Sequence, residues 1–230
     1  MLNKIAMTWE TSAELPKIGI TPNILVVYGT PRPSDFVQMN AVLSLEELAK
    51  ANRIRINNQK NTWIACHVTL RQMLGTFLDR HPREIDIRKN RFGKPYLADS
   101  NLFFNISHTN NAFLLGFSLD GKIGVDLEEL SGREDLPSLI EYAFSEEEAA
   151  YCQYEKIPER FLEIWTLKEA YLKAAGVGLI DHLGAINVTS NPTNDISEKR
   201  LLRQTFICPD GETASIVYRN PQNITTIWLQ

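Results

Sequence analysis

Asp126 and Glu128 stand two residues apart in the run GKIGVDLEEL, residues 121 to 130. On a strand, alternate residues share a face. Ile123, Val125 and Leu127 then take the apolar face, and Asp126 and Glu128 sit side by side on the other. Two like charges that close repel unless a cation lies between them. Oxygen ligands on a rigid strand suit Mg²⁺, which keeps several waters and takes few carboxylates. The plainer alternative is a solvated polar face on a half-exposed strand. Glu129 falls on the apolar side by period and is not counted as a ligand.

A second acid lies in FLEIWTLKEAYLKAA, residues 161 to 175. Good helix formers dominate this stretch. Phe161, Leu162, Ile164, Trp165 and Leu172 recur at helical spacing, and Gly176 and Gly178 supply the stop. Residues three, four and seven apart share a helix face. Glu169 therefore points the same way as Leu162, Trp165 and Leu172, where burial is expected. A buried carboxylate is costly unless a cation or hydrogen bonds offset the lost hydration. Lys173 lies one turn on, so a half-buried Glu169–Lys173 salt bridge is one reading and a catalytic carboxylate is the other.

The third group lies in RFGKPYLADSNLFFNISHT, residues 91 to 109. Gly93-Lys94-Pro95 is a turn presenting one lysine. Asn105, Ser107 and His108 end an apolar strand. Ser107 and His108 are adjacent and point to opposite faces of a strand, so they are no nucleophile pair. A hydroxyl, an imidazole and a lysine fit hydrogen-bond donation to an anion, or turn and edge chemistry without a ligand.

The elements that must position these groups are legible in outline. Residues 23 to 28 read as a buried strand, and residues 30 to 34, with two prolines, as a loop. Ser44 with Glu47 three residues on marks the start of a helix reaching about Ala51. Asn57 and Asn58 break the pattern, and a second helix spans 63 to 78. Strands are expected at 94–97, 102–106, 112–119 and 122–127, forming an antiparallel meander with Asp120-Gly121 as a hairpin turn. Helices follow at 136–142, at 146–154 (Ser145 and Glu148 form its capping box) and at 161–175. Strands return at 185–188, 201–208, 214–218 and 225–229, with a polar loop at 190–198. The order strand, helices, strands occurs twice. The class is α+β, helices packed on antiparallel sheets.

Composition narrows the functional classes. The net charge of −4 gives no global basic field for nucleic acid. Three widely spaced cysteines, without metal-binding spacing, fit buried thiols in a reducing cytoplasm. The first residues lack the apolar core of a secretory signal, and no apolar run reaches membrane-spanning length.

Five motifs in order resemble one family. They are Gly93-Lys94-Pro95; Phe104-Asn105-Ile106-Ser107-His108; Gly124-Val125-Asp126-Leu127-Glu128; Phe144-Ser145 with Glu148; and Trp165 through Lys168-Glu169-Ala170 to Lys173. Together, over residues 40 to 190, they resemble the 4′-phosphopantetheinyl transferases, specifically the monomeric surfactin-type group. The resemblance implies transfer of the phosphopantetheine arm of coenzyme A to a serine of an apo acyl or peptidyl carrier protein, with release of 3′,5′-ADP. It implies a pseudo-dimer of two similar halves, here 1–121 and 122–230, with coenzyme A in the cleft between them. It implies Mg²⁺ bound by Asp126, Glu128 and Glu169. Glu169 would take the serine proton and Lys173 would stabilise the leaving group. Lys94, His108, Ser107 and Lys168 would contact the coenzyme. Thr62 and His67 stand where this family carries arginines for the 3′-phosphate; Lys60 is the nearest substitute, Arg71 is retained, and Lys50 and Arg53 are further candidates. A module that binds coenzyme A or a carrier without turnover would have no need of the metal carboxylates.

Overall fold

The computed structural model describes residues 7–12, 24–130, 135–153, 157–178, 183–189, 201–219 and 224–230. The polar loop expected at 190–198 lies outside them. The first part of the chain comprises β1 (Glu10–Ser12), β2 (Ile24–Gly29), α1 (Pro33–Val42), α2 (Leu45–Arg53) and α3 (Asn57–Leu78). The middle holds β3 (Ile87–Lys89), β4 (Pro95–Leu97), β5 (Phe103–His108), β6 (Phe113–Ser118) and β7 (Ile123–Glu128). Then come α4 (Leu136–Ala143), α5 (Glu146–Cys152), α6 (Ile157–Ala175), β8 (Leu201–Ile207), β9 (Thr213–Arg219) and β10 (Ile224–Leu229).

The elements stack in four layers: α3, a five-stranded sheet, a three-stranded sheet, and α6. Strand periodicity builds the stack. Leu25, Val27, Phe113, Leu115 and Phe117 pack against Leu70, Met73 and Leu74 of α3. Their neighbours Val26, Tyr28 and Leu114 point through the sheet to meet Ile123, Val125, Leu127 and Ile216. On the far side, Val217 joins Phe161, Leu162, Ile164, Leu167 and Leu172 of α6. Each fully buried aliphatic or aromatic side chain of this kind is worth about 1.5–3 kcal/mol.

Gly124 sets how closely α6 lies on β7. A Cβ at this position would sit 1.9 Å from the Ala170 carbonyl oxygen and 2.4 Å from the Ala174 nitrogen. Only glycine lets the helix backbone rest on the strand. Residues of α6 flanking that contact are thereby held over the polar face of β7.

Sheet topology corrects four expectations. The strand order β1-β10-β2-β6-β5 places the last strand inside the first sheet, parallel to both neighbours. That sheet is mixed, not antiparallel, and a division of the chain at 121/122 is not respected by β10. The three-stranded sheet, β7-β9-β8, is antiparallel. Asp120-Gly121 is not a hairpin turn, because β6 and β7 belong to different sheets that pack face to face. The middle of the chain is thus two hairpins, β3–β4 and β5–β6, followed by a crossing to the second sheet. Where a strand was expected at 185–188, a 3₁₀ turn covers Leu183–Ala185, and the Val188 N–H goes to a Glu148 oxygen at 2.7 Å, not to a neighbouring strand.

Two helix starts also differ. Pro33 opens α1, where two prolines had suggested only a loop; proline is at home in the first turn of a helix, where its missing N–H costs nothing. Asn57 is the first residue of α3, not a break. Both capping boxes, Ser44 with Glu47 and Ser145 with Glu148, are present.

Candidate active site

The two sheets meet at their edge strands, β5 and β7. These strands do not pair by backbone. Instead the Val125 N–H donates to Asn105 Oδ1 at 2.8 Å, and the Leu127 N–H donates to Ser107 Oγ at 3.3 Å. Side chains at positions i and i+2 of one edge thus satisfy alternate N–H groups of the other, which the buried backbone requires. This seam is the reason for two motif residues, Asn105 and Ser107. It holds the polar face of β7 open toward α6.

Asp126 lies on that face with 4% of its surface exposed. Its Oδ1 accepts from Ser107 Oγ at 2.9 Å and from Lys173 Nζ at 2.6 Å. Its Oδ2 is buried with no hydrogen-bond partner among the described residues. An orphaned carboxylate oxygen is rare and costly. Glu128, two residues on, is half-buried, and its Oε1 accepts from the Trp165 indole N–H at 3.2 Å.

Trp165, Glu169 and Lys173 recur every four residues and form one stripe of α6. Trp165 meets Glu128 at one end of the stripe and Lys173 meets Asp126 at the other. Glu169, half-buried, lies between them. The stripe is braced from below: Phe144 stacks on Phe161, with ring centres 5.3 Å apart, and Phe161 on Trp165, 5.5 Å apart. The apolar spacing and the motif leave the hydrogen bond from Trp165 to Glu128 unannounced; the four-residue spacing of Trp165 from Glu169 is the available signal.

Asp126, Glu128 and Glu169 are hard oxygen donors of the kind Mg²⁺ prefers, and the bare Oδ2 of Asp126 fits a cation. Among the described residues no three acidic, His or Cys side chains already enclose a metal position. The Lys173 ammonium supplies the positive charge at Asp126 in their place.

His108 is exposed and borders two adjoining cavities. The larger, about 490 Å³, is lined by Trp63, Asn110, Glu128 and Glu129 among others. The smaller, about 190 Å³, is lined by Glu47, Lys50, His67, Arg71 and Lys89, with Trp63 and His108 shared. Lys50 lies over the Trp63 ring, 5.3 Å from its centre, and His67 stacks on the same ring at 3.8 Å. Desolvation lowers the pKa of both imidazoles, that of His67 to about 4, so both are neutral near pH 7. Lys173 and Lys50 push His108 in the same direction.

Several expected coenzyme contacts are placed elsewhere. Lys168 is 1% exposed and pairs with Glu148 at 2.7 Å. It also donates to the Leu183 and Ile186 carbonyls at 2.9 and 2.6 Å. Its position on α6 turns it into the C-terminal core, where these partners surround its ammonium. Lys94 donates to the carbonyls of Ile123, at 3.1 Å, and of Lys173. Its ammonium therefore caps the C-terminal end of α6, where a cation is favoured, and burial lowers its pKa to about 8, with Lys122 and Lys173 adding to the effect. The turn that carries it docks there too, through Asn90 Nδ2 to the Gly176 carbonyl at 2.9 Å. Arg71 is buried, held by Glu47 and by the Pro82 and Ile85 carbonyls at 2.8 and 3.2 Å. Lys60 is half-buried on α3 and lines neither of these two cavities.

The motifs thus divide into two sets. Asp126, Glu128 and Lys173 lie where β7 meets α6, with Glu169 on the same stripe of α6, and His108 shares a cavity lining with Glu128. Lys94, Lys168 and Glu148 hold the walls.

Comparison with known proteins places the chain in a family. Residues 29–116 match the family model "4′-phosphopantetheinyl transferase, N-terminal". Residues 122–226 match that of the 4′-phosphopantetheinyl transferase superfamily. The chain is 36% identical over 169 residues to 4′-phosphopantetheinyl transferase HetI of Nostoc, a match covering 70% of each protein. It is 29% identical over 152 residues to 4′-phosphopantetheinyl transferase gsp of Aneurinibacillus migulanus, covering 64% of this chain and 62% of that protein. A human relative, L-aminoadipate-semialdehyde dehydrogenase-phosphopantetheinyl transferase, is 28% identical over 202 residues, covering 80% of this chain and 65% of its own. With one family model matching residues 29–116, another matching 122–226, and a relative above 30% identity over 70% of each protein, this chain belongs to the 4′-phosphopantetheinyl transferase superfamily.

Proposed function

We propose that this protein moves the 4′-phosphopantetheine arm of coenzyme A onto a serine hydroxyl of an apo acyl or peptidyl carrier protein. The serine oxygen forms a bond to the phosphorus that bears pantetheine. The bond from that phosphorus to the bridging oxygen breaks, and 3′,5′-ADP leaves with the electron pair. The serine proton passes to Glu169, directly or through a water. Family membership supports the reaction class. The observation that carries the assignment of roles is the α6 stripe Trp165, Glu169, Lys173 laid across Asp126 and Glu128 on β7.

Phosphoryl transfer asks mainly for positioning and charge neutralisation. Asp126, Glu128 and Glu169 would hold Mg²⁺, which would bind the pyrophosphate oxygens and offset charge building on the leaving phosphate. Lys173 adds a second cation beside that charge. The smaller cavity, with Lys50, Lys89 and the neutral imidazole of His108, supports binding of the coenzyme's nucleotide end by the N-terminal half. Unpaired, buried cysteines and a cleft formed within one chain support work in the cytoplasm as a monomer. No helix among the described residues is long and apolar enough to cross a membrane.

The test is incubation of purified protein, Mg²⁺ and coenzyme A with a panel of apo acyl and peptidyl carriers, read by intact mass. Carriers gain the phosphopantetheine mass if the reading holds, and Glu169→Gln abolishes the gain without unfolding the protein. No mass gain on any carrier overturns it.

A further inference from the structure

Ser107 carries motif chemistry that suggests a coenzyme contact, yet its surroundings suit a different task. A hydroxyl has one proton to donate and two lone pairs to accept with. In Ser107 all three are in use. The hydroxyl donates to Asp126 Oδ1 at 2.9 Å; it accepts from the Leu127 N–H at 3.3 Å and from Lys173 Nζ at 3.0 Å. The side chain is buried, with 7% of the residue exposed. The hydroxyl has no donor or acceptor left with which to hold a nucleotide.

The carboxylate that Ser107 touches is asymmetric. Both of its bonds fall on Oδ1, and Oδ2 is left buried and bare among the described residues. A carboxylate free to turn would share its donors between both oxygens. The junction of Ser107, Lys173 and the Leu127 backbone prevents that.

We infer that Ser107 is a positioning residue for Asp126: its saturated hydroxyl pins Oδ1 and so presents Oδ2 to a divalent cation. The inference rests on the reading of Asp126 as a metal ligand. It moves Ser107 from the coenzyme to the support of the metal. Groups that orient ligating carboxylates typically change metal affinity by about 10- to 100-fold when removed.

Mn²⁺ binding, followed by electron paramagnetic resonance without coenzyme or carrier, tests this directly. Ser107→Ala should weaken Mn²⁺ binding about tenfold, and Ser107→Thr, which keeps the hydroxyl, should restore it. The KM for coenzyme A should stay within about twofold of wild type. Asn105→Ala is the control for a loosened seam, because Asn105 anchors β7 at Val125. It should lower the melting temperature while leaving Mn²⁺ affinity unchanged. If Ser107→Ala does not fold, Ser107→Cys, of similar size with a poor donor, carries the same test. Unchanged Mn²⁺ affinity in the Ser107 variants overturns the inference. So does a raised KM for coenzyme A with metal binding intact, or equal weakening by Asn105→Ala. Wild-type protein whose Mn²⁺ affinity is untouched by Asp126→Asn overturns it as well. Wild-type protein that binds Mn²⁺ as expected but modifies no carrier leaves the inference standing and overturns the proposed function.

Discussion

Two lysines of α6, five residues apart, each form a short ion pair, and the two pairs are built to opposite ends. Lys168 meets Glu148 at 2.7 Å with side-chain exposures of 2% and 0%. Every polar atom there is used: Glu148 accepts from the Val188 and Ser145 N–H groups, and Lys168 donates to two carbonyls. Lys173 meets Asp126 at 2.6 Å with exposures of 29% and 5%, and one oxygen of Asp126 is left without a partner. A fully satisfied buried pair fixes structure. A buried acid satisfied on one oxygen only retains an acceptor with which a cation could pair.

The largest expected effect breaks the satisfied pair. Lys168→Met leaves the Glu148 charge buried and uncompensated, which costs about 3–5 kcal/mol. Urea unfolding should show that loss, and the double variant Lys168→Met with Glu148→Leu should recover part of it. If Lys168→Met instead left stability intact and raised the KM for coenzyme A, the lysine would be a phosphate contact after all.

The open pair should respond in the reverse manner. Asp126→Asn removes a buried charge that has lost its hydration and has one oxygen without a partner among the described residues, so the lost pair with Lys173 is offset by relief of that burial and stability should move by less than in Lys168→Met. Transfer to the carrier should fall by about 10²–10³-fold, as for loss of a group aimed at transition-state charge. Equal losses of stability in the Asp126 and Lys168 variants would erase the distinction between the pairs.

Both pairs depend on how α6 sits on β7, which Gly124 tests. Gly124→Ala puts a methyl group into the Ala170 and Ala174 backbone. Overpacking of this kind costs about 1–3 kcal/mol. Thermal denaturation should show the loss, and Mn²⁺ binding should weaken with it, because Asp126 and Lys173 lie on the two elements being separated.

The smallest effect extends the comparison to an acid that lies beside another acid. Buried Glu212 and exposed Asp210 both lie against the Tyr28 hydroxyl, at 2.9 and 2.8 Å. Burial, followed by the Asp210 charge, raises the Glu212 pKa despite the hydrogen bonds that oppose the shift. The folded protein then holds a proton that the unfolded chain has released. Stability should therefore fall as pH rises from the ordinary carboxylate value through the raised one. Glu212→Gln should flatten that slope; an unchanged slope would assign it to another group.

Much of the secondary structure was legible because its signals are local. The capping boxes at Ser44 and Ser145, the glycine stop after α6 and the alternation in β7 are all decided within a few residues. The parallel insertion of β10 beside β2 was not legible. Nothing in Ile224–Leu229 distinguishes a partner 200 residues away from one in the preceding hairpin. The missed helix α1 had a readable cue in Pro33, obscured by its neighbour Pro31.

The site divides along the same line. Sequence alone determined which residues are chemically able: three carboxylates and a lysine on a strand and a helix, at spacings that put Asp126 beside Glu128 and Glu169 one turn from Lys173. Residue type and period suffice for that, because both act within one element. Tertiary structure decided which of the polar motif residues reach the cleft. Lys94, Ser107 and Lys168 look as capable of holding a phosphate as Lys50 or Lys89. Their roles follow instead from what surrounds them: carbonyls at a helix end, a carboxylate across a seam, and an acid in the core. A polar side chain's task is set by the partners that replace its water, and those partners come from segments distant in the chain.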